Sequence, residues 1–176
     1  MVLGPARSGK SLWAEHLARQ TGLPITYVAT GLQPTSADPK WQERVDIHRS
    51  RRPAHWQVQE VGFELSKALL ALPPQICALV DSLGSWVAWG LELDDGSWLS
   101  HCQELLNAVS DSRAELVLVS EQTGWGVVPP TAIGGLFRDR LGGLEQQLVE
   151  RAQQSWLVVA GRALDLDAHT FVVPRS

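Results

Sequence analysis

Two cysteines in 176 residues, Cys77 and Cys102, cannot supply a disulfide framework. Cys77 stands in an apolar run and reads as a small core residue. No stretch approaches the roughly eighteen apolar residues of a membrane span, and no signal-peptide pattern is visible, so a reducing cytoplasm is the expected setting. Positive charge is lacking as well. A net charge of −4 leaves no general footprint for nucleic acid or an anionic membrane surface. There is no internal repeat and no low-complexity linker. What is present is 44% hydrophobic and 19% charged residues, the composition of a globular chain. Residues 1–176 are expected to form a single domain that buries about two-thirds of its unfolded surface.

The most informative stretch comes almost at once. Gly4, Pro5, Ala6, Arg7, Ser8, Gly9, Lys10 and Ser11 fit G-x-x-x-x-G-K-[ST], the phosphate-cradling P-loop. In such a loop backbone N–H groups wrap the phosphates, the lysine reaches the β and γ oxygens, and the hydroxyl ligates Mg²⁺. The motif needs a strand before it and a helix after it, whose N-terminal dipole favours the anion. Met1–Leu3 offers only a strand stub, short for a central strand of about five or six residues. A longer leading strand would require a start upstream of Met1. Ser11–Arg19 has helical spacing of Leu12, Ala14, Leu17 and Ala18.

Downstream, apolar runs alternate with helical patterns. Strands are expected at Ile25–Ala29, Trp56–Glu60, Ile76–Val80, Leu116–Val119 and Trp156–Ala160, with Thr170–Val173 a last edge candidate. Helices are expected at Trp41–His48, Gly62–Leu72 (stopped by Pro73-Pro74), Trp98–Val109 (after a turn at Asp94–Ser97) and Thr131–Ala152. Strands apolar throughout and separated by helices predict an α/β fold, a mostly parallel sheet with helices on both faces. A P-loop also requires a carboxylate for Mg²⁺ at the end of a neighbouring buried strand, and Asp81 closes "ICALVD" in that manner. Asp81 would serve equally as the N-cap of a helix beginning near Ser82. An N-K-x-D guanine-reading box is absent, which argues against a GTPase switch, and size and the lack of repeats argue against a motor.

"RVDIHRSRRPAHW", Arg44 to Trp56, places Arg44, Arg49, Arg51 and Arg52 around His48, with His55 following. Four guanidiniums within nine residues make a clamp for phosphate. Their charge disfavours the imidazolium and keeps His48 neutral, the form that attacks phosphorus. A solvated basic turn with an incidental histidine accounts for the composition equally well.

Taken together, "GPARSGKS", "YVATG", "RVDIHRSRRPAHW", "LVDSLGSWV", "GWGVVP", "FRDRLG" and "WLVVAG" span nearly the whole chain. In that order they resemble the bifunctional adenosylcobinamide kinase / adenosylcobinamide-phosphate guanylyltransferase family of cobalamin biosynthesis. The resemblance implies a RecA-like P-loop NTPase fold and a homotrimer. It implies phosphorylation of the aminopropanol hydroxyl of adenosylcobinamide by ATP or GTP, then transfer of GMP from GTP to adenosylcobinamide phosphate. The second reaction passes through a guanylylated histidine, whose matching position is His48. On this reading Gly4, Pro5, Ala6, Arg7, Ser8, Gly9 and Lys10 bind nucleotide with Arg49, Arg51 and Arg52. Ser11 and Asp81 hold Mg²⁺.

The sequence departs from the family's usual pattern in three places. An expected glutamate is Lys40, the usual Asn-Glu-Val-Gly is Glu121-Gln122-Thr123-Gly124, and the usual Asn-Gln of the long helix is Glu145-Gln146. If Glu121 and Glu145 faced a phosphate-rich ligand they would repel it. Among the eight tryptophans, Trp41, Trp56, Trp86, Trp89 and Trp125 lie in or beside the matching segments, where they serve either as core and interface residues or as a face for the corrinoid. Two rivals stand beside this reading: a P-loop small-molecule kinase without a covalent step, which would release no pyrophosphate from GTP, and a nucleotide-binding regulatory subunit that consumes little nucleotide.

Overall fold

The computed structural model describes residues 1–31, 42, 43, 45, 46, 49, 50, 52–127 and 129–174. Their strands are β1 (Val2–Gly4), β2 (Ile25–Ala29), β3 (Gln57–Glu60), β4 (Cys77–Asp81), β5 (Glu115–Glu121), β6 (Trp156–Val159) and β7 (Arg162–Asp165). They form one sheet in the order β3-β2-β4-β5-β1-β6-β7. All neighbours pair in parallel except β6 and β7. The helices are α1 (Lys10–Gln20), α2 (Leu65–Ala71), α3 (Leu83–Trp89), α4 (Asp95–Asp111), α5 (Ala132–Val149) and the short α6 (Leu166–His169).

Alternate residues of each buried strand enter different cores, because successive side chains point to opposite faces. Cys77 and Leu79 pack with Ala14 and Ala18 of α1, whereas Ala78 and Val80 pack with Leu65, Trp86, Leu105 and Leu141 of α2 to α5. Helices therefore cover both faces, as the unbroken apolar strands predict. The stub strand β1 is central: Val2 pairs with Val119 of β5 and Trp156 of β6, and it is fully buried.

Several boundaries shift for identifiable reasons. The Gly62–Leu72 helix begins only at Leu65, since Glu64 N–H donates to Val61 C=O (3.0 Å) in a turn where Gly62 has φ 52°. The helix expected from Trp98 starts at Asp95, because the Asp94 carboxylate accepts from Ser97 N–H (2.9 Å) and caps it. Likewise Thr131 caps α5 through Gly134 N–H at 3.2 Å. Strand β7 was not anticipated. It follows a two-residue turn, Ala160-Gly161, with φ of 51° and 74°, the left-handed pair that closes a tight hairpin. By contrast Thr170–Val173 is not a strand: it pairs with nothing in the sheet, and Phe171, Val172 and Val173 are exposed. The helix expected at Trp41–His48 falls partly outside the described residues, of which 42, 43, 45, 46, 49 and 50 are helical.

Arg140 of α5 pins the turn between α3 and α4. Its guanidinium donates to the carbonyls of Gly90 (2.7 Å) and Leu93 (2.9 Å), meets Asp95 Oδ1 at 3.1 Å and lies 5.0 Å from the centre of the Trp98 ring. The guanidinium is buried, whereas the Asp95 side chain is 91% exposed, so the carbonyl bonds carry most of the stabilisation. Arg140→Met should lower unfolding free energy by about 2–4 kcal/mol through two stranded carbonyls. Asp95→Asn should cost below about 1 kcal/mol. Urea unfolding of both variants checks the ordering.

Candidate active site

Because β1 to β5 run parallel, Gly4, Ala29, Glu60, Asp81 and Glu121 all end at one edge of the sheet, where ligands of open α/β sheets bind. The loop from Pro5 to Gly9 turns there into α1. Arg7 has φ 58° and Gly9 φ 98°, and Ser8 N–H donates to Pro5 C=O at 3.3 Å. Ser8 Oγ in turn accepts from Lys10 N–H at 3.3 Å. The hairpin turn after β6 braces the loop: Gly161 N–H donates to Ser8 C=O at 2.9 Å. A Cβ at Gly4 would overlap the Val158 carbonyl and come within 2.7 Å of Ser8 Oγ, so this position admits only glycine. Ser8 and Lys10 are buried, Pro5 and Ser11 half-buried, and Ala6 and Arg7 exposed at the tip.

The carboxylates are arranged differently from expectation. Asp81 ends β4, but β4 is not next to β1; β5 stands between them. Glu121 ends the neighbouring strand, directly opposite Gly4 in register. Nor does Asp81 cap α3, whose N-cap residue is Ser82. Asp81 instead accepts from the Tyr27 hydroxyl at 2.9 Å. Glu121 is held through both oxygens: Oε1 accepts from Ser82 Oγ, and Oε2 from Gly84 N–H at 3.0 Å. A methyl group at Gly84 would collide with that carboxylate. Burial raises the Glu121 pKa; the Ser82 bond opposes this, the Asp81 charge adds to it, and Lys10 draws it down. Sequence reasoning treated Glu121 only as a departure. The signal available was its place at the end of "ELVLVSE", which parallels that of Asp81.

A cleft of about 710 Å³ opens beside the loop. Pro5, Ala6 and Lys10 form one wall; Gly84, Ser85 and Ala88 of α3 another; Glu121 to Thr123, Trp125, Gly126 and Phe137 close it. Its volume is within the usual range for small-molecule sites. The tryptophans divide accordingly: Trp56 and Trp86 are core, Trp89 is partly exposed and donates to Thr30 C=O (2.8 Å), and Trp125 is an exposed wall of the cleft. Trp41 lies outside the described residues.

Glu145 is not among the residues that line the cleft. It is buried in α5 and accepts from Gln122 Nε2 at 2.7 Å, behind the cleft wall. Its other oxygen has no hydrogen-bond partner, and Ser120 Oγ is near enough to favour the charge without hydrogen-bonding geometry.

Of the basic segment, His48, Arg44 and Arg51 lie outside the described residues. Arg49 reaches Glu60 Oε1 at 3.7 Å at the end of β3, and the Arg52 guanidinium lies 3.8 Å from the centre of the Tyr27 ring. His55 is exposed. Arg52 is thus brought to the Asp81 side of the edge, while Arg49 is held one strand further out. For a metal the described residues contain no cluster of three or more His, Cys, Asp or Glu ligands. The oxygen donors of Ser11 and Asp81 suit a hard ion that completes its shell with water and phosphate, the habit of Mg²⁺.

A G-x-x-x-x-G-K-S loop between a central parallel strand and a helix, beside a cleft at the carboxyl edge of the sheet, defines an α/β protein of the P-loop nucleotide-binding class. The backbone resembles a solved structure from Pyrococcus horikoshii OT3 with a TM-score of 0.57 at 11% identity, covering 94% of this chain and 83% of the other. The chain belongs to the cobinamide kinase / cobinamide phosphate guanyltransferase family, which residues 1–166 match. It is 37% identical over 168 residues to the bifunctional adenosylcobalamin biosynthesis protein CobP of Pseudomonas aeruginosa, covering 94% of this chain and 95% of that one. It is 31% identical to the corresponding CobU of Escherichia coli and 32% to that of Salmonella typhimurium, each comparison covering 92% of this chain and 95% of the relative.

Burial lifts the Glu145 carboxyl to about 6, against an ordinary value near 4.5. Between these values the folded chain holds a proton that the unfolded chain has released, so stability falls as pH rises from about 4.5 to 6 and then levels. Glu145→Gln, which keeps a partner for Gln122, should therefore be more stable than the parent above pH 6. That advantage should shrink to nothing near pH 4.5, as read from urea midpoints across the range.

Proposed function

We propose that this chain phosphorylates the aminopropanol hydroxyl of adenosylcobinamide and then transfers GMP from GTP to the product. The observation that carries the reading is the P-loop folded between β1 and α1, with Lys10 in the cleft wall, in a chain that matches the family over residues 1–166.

In the first reaction the backbone N–H groups of Ala6, Arg7 and Gly9 would cradle the nucleotide's phosphates, since Pro5 has none and that of Ser8 is given to the Pro5 carbonyl. Lys10 stabilises the charge that develops on the β and γ oxygens as the substrate hydroxyl attacks the γ-phosphorus and the nucleoside diphosphate leaves. Ser11 and Asp81 would hold Mg²⁺, which when bound supplies neutralisation of the same phosphates. Asp81 suits that task better than Glu121, although it lies a strand further away. Both Glu121 oxygens already serve Ser82 and Gly84, and burial disfavours its charge. Glu121 instead fixes the start of α3 against the loop.

In the second reaction neutral His48 attacks the α-phosphorus of GTP and pyrophosphate leaves, forming a P–N bond. A phosphate oxygen of adenosylcobinamide phosphate then attacks the same phosphorus. The P–N bond breaks, His48 is regenerated, and adenosylcobinamide-GDP is released. Arg49, Arg51 and Arg52 are the guanidiniums that would neutralise the triphosphate during this transfer. The protein would act in the cytoplasm as a homotrimer.

Lys10→Ala should reduce kinase turnover on the order of a hundredfold or more, since an electrostatic partner of the transition state is lost. Near-normal turnover would overturn the P-loop assignment. With α-labelled GTP and Mg²⁺ the parent protein should acquire protein-bound label that is labile to acid and stable to alkali, without any corrinoid. His48→Ala should lose this label while still phosphorylating adenosylcobinamide, and His55→Ala should keep it. Label retained in His48→Ala would place the nucleophile elsewhere.

A further inference from the structure

Tyr27 is a core residue of β2, yet its side chain makes two polar contacts. Its hydroxyl donates to Asp81 Oδ2 at 2.9 Å, and its ring face lies 3.8 Å from the Arg52 guanidinium carbon. Strands β2 and β4 are adjacent and in register, Tyr27 opposite Leu79, so the hydroxyl reaches along the sheet to the last residue of β4. The ring is 5% exposed and has little freedom to leave this geometry. Its pKa lies well above the ordinary value because burial and the Asp81 charge disfavour the phenolate, so it remains a donor. Arg52 stands four residues after His48 in the sequence. One side chain therefore touches the basic segment on one side and the carboxylate of the P-loop edge on the other.

We propose that Tyr27 is a positioning residue for both reactions, its hydroxyl fixing the Asp81 carboxylate for the metal–nucleotide and its ring holding Arg52 at the sheet edge. The proposal rests on the Asp81 reading given above. The two arms are chemically separable. Phenylalanine keeps a ring for Arg52 and loses only the hydroxyl, whereas leucine loses both, since cation–π attraction requires an aromatic face.

The test uses the full chain, with Mn²⁺ as the probe ion and protein in excess over β,γ-imido-ATP. Free Mn²⁺ is read by electron paramagnetic resonance, and protein labelling from α-labelled GTP is followed in parallel. Tyr27→Phe should weaken Mn²⁺ retention by about tenfold or more, the worth of one hydrogen bond to a charged group. Tyr27→Leu should weaken it as much, and should also slow labelling roughly fivefold more than Tyr27→Phe does. If Tyr27→Leu does not fold, Arg52→Met tests the second arm and should slow labelling likewise. Wild-type Mn²⁺ retention in Tyr27→Phe, with retention lost in Asp81→Asn, overturns this inference and leaves the Asp81 reading standing. Wild-type retention in Asp81→Asn overturns both. Equal labelling rates in Tyr27→Phe and Tyr27→Leu, or an unaltered rate in Arg52→Met, overturn the Arg52 arm.

Discussion

Val2 and Leu3 lie between Val119 and Ser120 of β5 on one side and Trp156 and Leu157 of β6 on the other, so a strand of three residues is fixed along both edges. The phosphate loop begins where that strand ends, and its position depends on those pairings. Ser8 is tied to the β6–β7 turn through Gly161, and Gly4 is pressed against the Val158 carbonyl. The backbone N–H groups of such a loop work only if they converge before the ligand arrives, because ordering them afterwards would take free energy from binding. The unanticipated hairpin thus has a purpose: it makes the loop a fixed part of the sheet edge.

The same edge concentrates negative charge where an anionic ligand would sit, and the packing resolves that conflict by binding the carboxylates internally. Glu121 is anchored on Ser82 and Gly84, and Glu145 on Gln122 behind the wall. A buried carboxylate is expensive unless it is hydrogen-bonded, and its raised pKa measures what is left of that expense. Asp81, on the strand beyond, is tied to a phenol that stays protonated. Glu121 and Asp81, which end adjacent strands at that edge, therefore differ in how they are held: Glu121 by Ser82 and Gly84, Asp81 by the Tyr27 hydroxyl.

What was legible in the sequence follows from how local each signal is. The parallel strands stand out as unbroken apolar runs: "ITYVA" matches its strand to the residue, and the strand expected at Ile76–Val80 runs one residue later, Cys77–Asp81. The P-loop was equally plain, since spacing alone defines it. Strand order was not legible, because it is decided by which helix crosses which face; hence β4 was set beside β1 when β5 intervenes. Strand β7 was missed because its pairing partner is antiparallel and "RALD" has too few apolar residues to stand out, while "TFVV" has the right residues and no edge to join. The role of Tyr27 was hidden for the same reason: its partners, Asp81 and Arg52, lie 54 residues after it and in another segment, and only the sheet brings them together.

The departures from the family pattern can be weighed with the same geometry. Two of the departing positions, Gln122 and Glu145, meet each other: their side chains are 2.7 Å apart. The pair joins one amide to one carboxylate, so a hydrogen bond ties the end of β5 to α5 and the carboxylate lies in the layer beneath the cleft surface. The oxygens of Glu121 are taken by Ser82 and Gly84. The two acids that would repel a phosphate-rich ligand, Glu121 and Glu145, are thus both bound within the protein around the end of β5. Each carboxylate has a donor inside the protein, and repulsion of a phosphate is reduced to what leaks past those bonds.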